Sequence, residues 1–97
     1  MAYRVAWTGS AWRELEEAAE FIARDSPRYA AALVEEARSA ARSLRRFPLR
    51  GRVVPEANNA AVREVFVKRV YRLIYEVSKD RVVVLAFIHG ARRLIGF

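Results

Sequence analysis

Apolar positions follow two different periods along the chain. Tyr3-Arg4-Val5-Ala6-Trp7 alternates and favours strand, and Thr8-Gly9-Ser10 ends it with a turn that also supplies a helix N-cap. From Ala11 the spacing becomes helical: Ala11, Leu15, Ala18, Ala19 and Ile22 fall on one face, while Glu14, Glu16 and Glu17 suit the positive end of the helix dipole. This predicts a helix to about Arg24. Asp25-Ser26-Pro27 then stops one helix and starts the next, with Ser26 as cap and proline at the first helical position. In the second helix Ala30, Val34, Ala37, Ala41 and Leu44 alternate steps of four and three, the seam of a helix packed along a neighbour. The two helices are expected to form an antiparallel hairpin.

Phe47-Pro48-Leu49-Arg50-Gly51-Arg52-Val53-Val54-Pro55 carries two prolines and a glycine, so an irregular segment is expected to cross the domain there. Val62 to Val67, Val70 to Val77 and Val82 to Ile88 are rich in β-branched and aromatic residues and read as strands. Ser78-Lys79-Asp80-Arg81 joins the last two as a hairpin. The run Val82–Ile88 is apolar on both faces, which places it inside the sheet with the first strand beside it. The prediction is an α+β domain of order β-α-α-β-β-β, its helical hairpin packed on one face of a mainly antiparallel four-stranded sheet.

At 97 residues and 54% hydrophobic content the chain can bury one core, so residues 1–97 are expected to be one domain. Its longest apolar run is far short of the roughly 20 residues that span a bilayer, and no signal-peptide core follows Met1; a cytoplasmic protein without a membrane partner is expected. The absence of cysteine excludes disulfides and thiolate sites, and one histidine cannot build a histidine-rich metal site, so neither metal nor cofactor is expected. The net charge of +7 is unevenly placed: residues 1–36 hold 4 basic and 7 acidic residues, residues 37–97 hold 14 and 4. Sixteen of the 18 basic residues are arginine, whose planar fork suits phosphates and carboxylates, so a polyanion or an acidic protein is the expected partner.

Two places could carry chemistry. In the strand 70–77, alternation sets Tyr71, Leu73, Tyr75 and Val77 against the helices and leaves Arg72 on the open face. There Arg63, Lys68 and Arg69 are expected to join it in a concave positive surface; the alternative is a surface ion pair of Arg72 with Glu64 or Glu76. The second place is the end of the last strand, where His89, Arg92 and Arg93 emerge together. RNA cleavage needs proton transfer and cations around the transition state, which His89 and the arginines could supply. A lone histidine at a strand end is otherwise a structural hydrogen-bonding residue. Trp12, Phe21 and Tyr29 do not all fit the helix seams; at least half are expected in the core and the remainder exposed as aromatic anchors for a partner.

At these residues the sequence resembles the RelE/ParE superfamily, the toxins of type II toxin–antitoxin pairs. The landmarks in order are the strand ending Trp7-Thr8, the hairpin, Phe47-Pro48 through Gly51-Arg52 to Pro55-Glu56, Arg63-Glu64, Tyr71-Arg72-Leu73-Ile74-Tyr75 and His89-Gly90-Ala91-Arg92. The resemblance implies a cognate antitoxin wrapped on the toxin in a hetero-oligomer; the aromatics Trp12, Phe21 and Tyr29 and the arginines Arg72 and Arg92 are its expected contacts. Two branches differ in target. In the RelE-like branch, messenger RNA is cut in the ribosome; Arg72 and Arg92 match its two arginines and Arg63 matches a lysine of its sheet, giving Arg63, Arg72, His89 and Arg92 as the catalytic set. Against it, Val65 stands where a second lysine is expected and Leu94-Ile95-Gly96-Phe97 offers no tyrosine. The ParE-like branch, which poisons DNA gyrase without being an enzyme itself, is similar in its long Ser10–Phe47 hairpin and missing tyrosine, and is the preferred reading. In that reading the basic open face and the C-terminal segment, with Lys68, Arg69, Arg72, Arg92 and Arg93, are the expected target contact.

Overall fold

The computed structural model describes residues 2–92. Strand β1 (Arg4–Trp7) leads into helix α1 (Gly9–Ala23) and helix α2 (Pro27–Ser43); β2 (Arg52–Val53), a 3-10 turn (Pro55–Ala57), β3 (Val62–Val67), β4 (Tyr71–Val77) and β5 (Arg81–His89) follow. The sheet order is β1-β5-β4-β3-β2. Among the described residues only the β1–β5 pair is parallel, and β5 lies inside the sheet with β1 beside it, as its two apolar faces require. The sheet has five strands rather than four, because Arg52 and Val53 of the crossing segment pair with Glu64 and Arg63.

Local chemistry sets the helix ends. Thr8 caps α1, its hydroxyl accepting from the Ala11 N–H at 3.0 Å, and Ser26 caps α2 by accepting from Tyr29 N–H at 3.1 Å, with Pro27 following. The apolar stripes of both helices meet the sheet face formed by Val65, Val67, Leu73, Tyr75, Val84 and Phe87, burying Leu15, Leu33, Ala37 and Leu44. Residue Leu85 is a bulge against Ile74/Tyr75, and β1 has ended at the level of Val84. The free ladder groups beyond it are taken up by α1: the Glu14 carboxylate accepts from the Phe87 N–H at 2.9 Å.

The opposite face is not open. The crossing segment folds over it and builds a second cluster from Val54, Val62, Ile74, Ala86 and Ile88, with Ala57 against it. Gly51 makes this passage possible, since a Cβ there would sit 2.5 Å from both the Glu64 carbonyl oxygen and the Tyr75 hydroxyl. The Tyr75 hydroxyl accepts from the Gly51 N–H at 2.9 Å, and the Arg63 guanidinium donates to the Gly51 carbonyl at 2.9 Å. Among the described residues no helix is long and apolar enough to cross a membrane.

Candidate functional site

Arg72 sits in the middle of the sheet, opposite Phe66 on β3 and Ile88 on β5, with its side chain on the face away from the helices. Glu64 shares that face, one diagonal step along β3. The 3-10 turn drops Glu56 onto the same spot. The Arg72 Nε donates to Glu64 Oε1 at 2.6 Å, and its two terminal nitrogens grip both oxygens of Glu56 at 2.9 Å each. Arg72 Nη1 also donates to the Arg92 carbonyl at 3.1 Å, while Arg52 pairs with the second oxygen of Glu64 at 2.5 Å. Arg72 is 4% exposed and Glu64 1%. The bidentate bond to Glu56, reinforced by Glu64 and opposed by desolvation, raises the Arg72 pKa above the ordinary arginine value, so the group is always charged.

This corrects the expected open positive face. Arg72 pairs with Glu64 as the simpler alternative had it, yet the pair is buried and Glu56, which the sequence did not single out, holds the guanidinium from above. Among the described residues, two arginines face two carboxylates in this cluster. The other expected members lie elsewhere. Arg63 is directly opposite Tyr75 in the register and therefore projects toward the helix side, where its Nη1 holds the Leu49 and Gly51 carbonyls and its Nε is buried without a partner among the described residues. Lys68 turns to α2: its N–H donates to Glu36 at 2.7 Å, its ammonium pairs with the same carboxylate at 3.5 Å and lies 5.2 Å from the Tyr29 ring centre. Arg69 is exposed.

His89 is opposite Tyr71 and so leaves the sheet on the helix side, away from Arg72; strand alternation separates the two groups that the nuclease reading needs together. The imidazole is exposed, packs edge-on to Tyr71 at 5.8 Å and accepts from the Ala91 N–H at 3.2 Å through Nδ1. Arg92 follows in the turn with its side chain exposed. Arg93 and Leu94-Ile95-Gly96-Phe97 lie outside the described residues. Gly90 N–H donates to the Val70 carbonyl at 2.5 Å, which ties this turn to the β3–β4 turn. One end of the sheet therefore gathers Arg69 and Arg92 around two exposed apolar side chains, Phe66 and Val70.

The three helical aromatics are all outside the core, at 36% exposure for Trp12, 67% for Phe21 and 46% for Tyr29, which overturns the expected burial of at least half. Nor do they form one patch. Trp12 stands edge-to-face on Trp7, Phe21 carries Arg24 over its ring, and Tyr29 meets Lys68. Trp12 and Phe21 are roughly two and a half turns apart and on opposite sides of α1. Among the described residues no group of His, Asp and Glu could hold a metal ion.

Comparison with known proteins bears on what this fold is. The family model described as "ParE toxin of type II toxin-antitoxin system, parDE" matches residues 5–94. The chain belongs to that family. Among solved structures, this ParE-family chain is similar to the toxin–antitoxin complex RelBE2 from Mycobacterium tuberculosis, with 30% identity and a TM-score of 0.63 over 95% of each chain. It is similar in fold to the chromosomal ParDE system from P. aeruginosa, with 17% identity, a TM-score of 0.73 and coverage of 91% of this chain and 96% of that one. The YoeB/ParE toxin from Agrobacterium tumefaciens shares the fold at 22% identity and a TM-score of 0.62, over 90% of this chain and 98% of that one. Comparison with curated protein sequences gives no significant match.

Proposed function

We propose that this ParE-family toxin is neutralised by a cognate antitoxin and acts by inhibiting DNA gyrase rather than by cutting messenger RNA. The observation that carries the choice is the state of Arg72. In a nuclease this arginine would have to reach a phosphate, but four of its N–H groups are taken by Glu56, Glu64 and the Arg92 carbonyl, out of the five an arginine has. Drawing it out would break three carboxylate hydrogen bonds in a buried site and leave Glu64 with Arg52 alone. Its charge is spent on the fold. The division of Arg63 and His89 from Arg72 by the sheet supports the same reading.

The target contact in this reading is the sheet end where Arg69 and Arg92 rim Phe66 and Val70, with Lys68 beside them and Arg93 next in sequence. An apolar centre with a basic rim suits a protein surface. The antitoxin is placed on the exposed Trp12, Phe21 and Tyr29, and on Arg92; its presence is supported by the similar RelBE2 toxin–antitoxin complex. The nuclease reading retains one favourable observation, the exposed His89 imidazole adjoining Arg92.

Expression in bacterial cells without antitoxin separates the two. Incorporation of labelled thymidine is expected to stop first while translated messages stay intact; early loss of amino-acid incorporation with cleaved messages would move the protein to the nuclease branch.

A further inference from the structure

Between Ala37 and Pro55 the sequence holds six arginines and no carboxylate. The fold gathers most of them on the far side of the molecule from Arg72, where the C-terminal half of α2 runs beside β1. Two adjoining hollows lie there, of about 460 and 450 Å³, sharing Arg42 and Arg45. Arg46 and Phe47 line the first; Arg38 and Trp7 line the second. Arg38, Arg42, Arg45 and Arg46 are exposed and make no ion pair among the described residues, whereas Arg4 at the rim pairs with Asp80 at 3.9 Å. Arg42 in the last helical turn complements the helix dipole. Arg45 and Arg46 lie beyond the helix, and Arg38 precedes the last turn, so dipole compensation does not account for the group.

We propose that this groove binds the backbone of single-stranded nucleic acid, with Phe47 as a stacking platform for a base. Uncompensated guanidinium groups along a track provide the sequence-independent attraction to phosphates. Arg38 and Arg42 are about 6 Å apart along the helix axis, and Arg45 extends the row, so separate phosphates are met in turn. Phe47 is 63% exposed at one end of the track and contributes little to the core. A ring held in water beside a row of arginines is the combination that single-strand binders use. The Arg72 cluster plays no part in this site, and neither does the end of the sheet proposed for gyrase. Because β1 is an edge strand, an acidic extended peptide is the competing occupant.

The test is fluorescence anisotropy of the full chain with a labelled mixed-sequence oligonucleotide of about a dozen nucleotides, as DNA and as RNA, alongside its duplex and a glutamate-rich peptide. Binding is expected to weaken with salt, by roughly 0.7 in logarithmic slope per phosphate contact on a single strand. The double variant Arg42→Gln/Arg46→Gln should reduce that slope by about 1.4 and weaken binding roughly ten-fold, and Phe47→Leu should weaken it roughly five-fold without changing the slope. Arg13→Gln/Arg28→Gln, which removes the same charge elsewhere, should leave most of the affinity. Circular dichroism melts check that each variant is folded, and all the substituted side chains are exposed. Equal losses from the two double variants, indifference to Phe47→Leu, preference for the duplex, or tighter binding of the acidic peptide would each overturn the proposal. The relative affinities of the DNA and RNA strands decide which nucleic acid is the ligand.

Discussion

Arg72 and Tyr75 show how position on one strand divides side chains between opposite jobs. Arg72 faces Glu56 and Glu64 in a nearly dry site, where removing the guanidinium leaves the buried Glu64 with Arg52 alone. Arg72→Ala is expected to lower unfolding free energy by about 3–5 kcal/mol in urea titrations. Arg72→Lys should recover less than half of that, because an ammonium cannot grip one carboxylate with two parallel bonds and still reach the next. Tyr75 is fully buried on the helix side, and burial raises its phenol pKa above the ordinary value near 10.0 against the weaker opposing effects of the Gly51 bond and nearby arginines. The folded chain then keeps a proton that the unfolded chain loses. Stability from this group is complete below pH 10 and falls as pH rises through the folded value. Tyr75→Phe should flatten that alkaline decline while costing about 1–3 kcal/mol at neutral pH, since the Gly51 N–H loses its acceptor. Denaturant titrations at neutral and alkaline pH measure both effects.

At the scale of elements, the residue pattern identified both helices, their N-caps and four strands, because each is long enough to display its pattern. It missed β2, whose two residues cannot display a period and whose pairing depends on where the crossing segment comes to rest. The same segment explains the misplaced Arg72. Alternation put that side chain on the correct face, but nothing in the local pattern of 47–57 says that the chain folds back over it. Arg63 was assigned to the wrong face because register across a hairpin, not composition, decides which strand neighbours look the same way. The register follows from the three-residue connection of Lys68, Arg69 and Val70 between the paired Val67 and Tyr71, with Lys68 and Arg69 at positive φ (55° and 62°) and Val70 N–H donating to the Val67 carbonyl. Left-handed backbone at a residue with a side chain costs about 1–2 kcal/mol, part of which glycine's entropy would offset. Arg69→Gly should therefore raise stability by about 0.5–1 kcal/mol in thermal or urea unfolding. Gly51→Ala should lower it by about 1–3 kcal/mol, because the added methyl meets backbone and the Tyr75 hydroxyl rather than flexible side-chain ends.

Across the whole molecule, charge and fold tell different parts of the story. The excess of arginine in the second half was visible in the sequence, and so was the family, through landmarks spread from Trp7 to Arg92. What the sequence could not convey is that one arginine is neutralised inside the domain while others stand unpaired on two separate surfaces, since that depends on which carboxylates the crossing segment delivers. The proposed function makes the molecule a toxin whose sheet arginine supports structure and which acts by contact with a protein target. The most direct test is negative supercoiling of relaxed plasmid by purified DNA gyrase in the presence of the purified chain, run beside RNA cleavage by the chain on programmed ribosomes. The account predicts loss of supercoiling or accumulation of cleaved plasmid, with the RNA left whole. Normal supercoiling together with codon-positioned RNA cuts would contradict it.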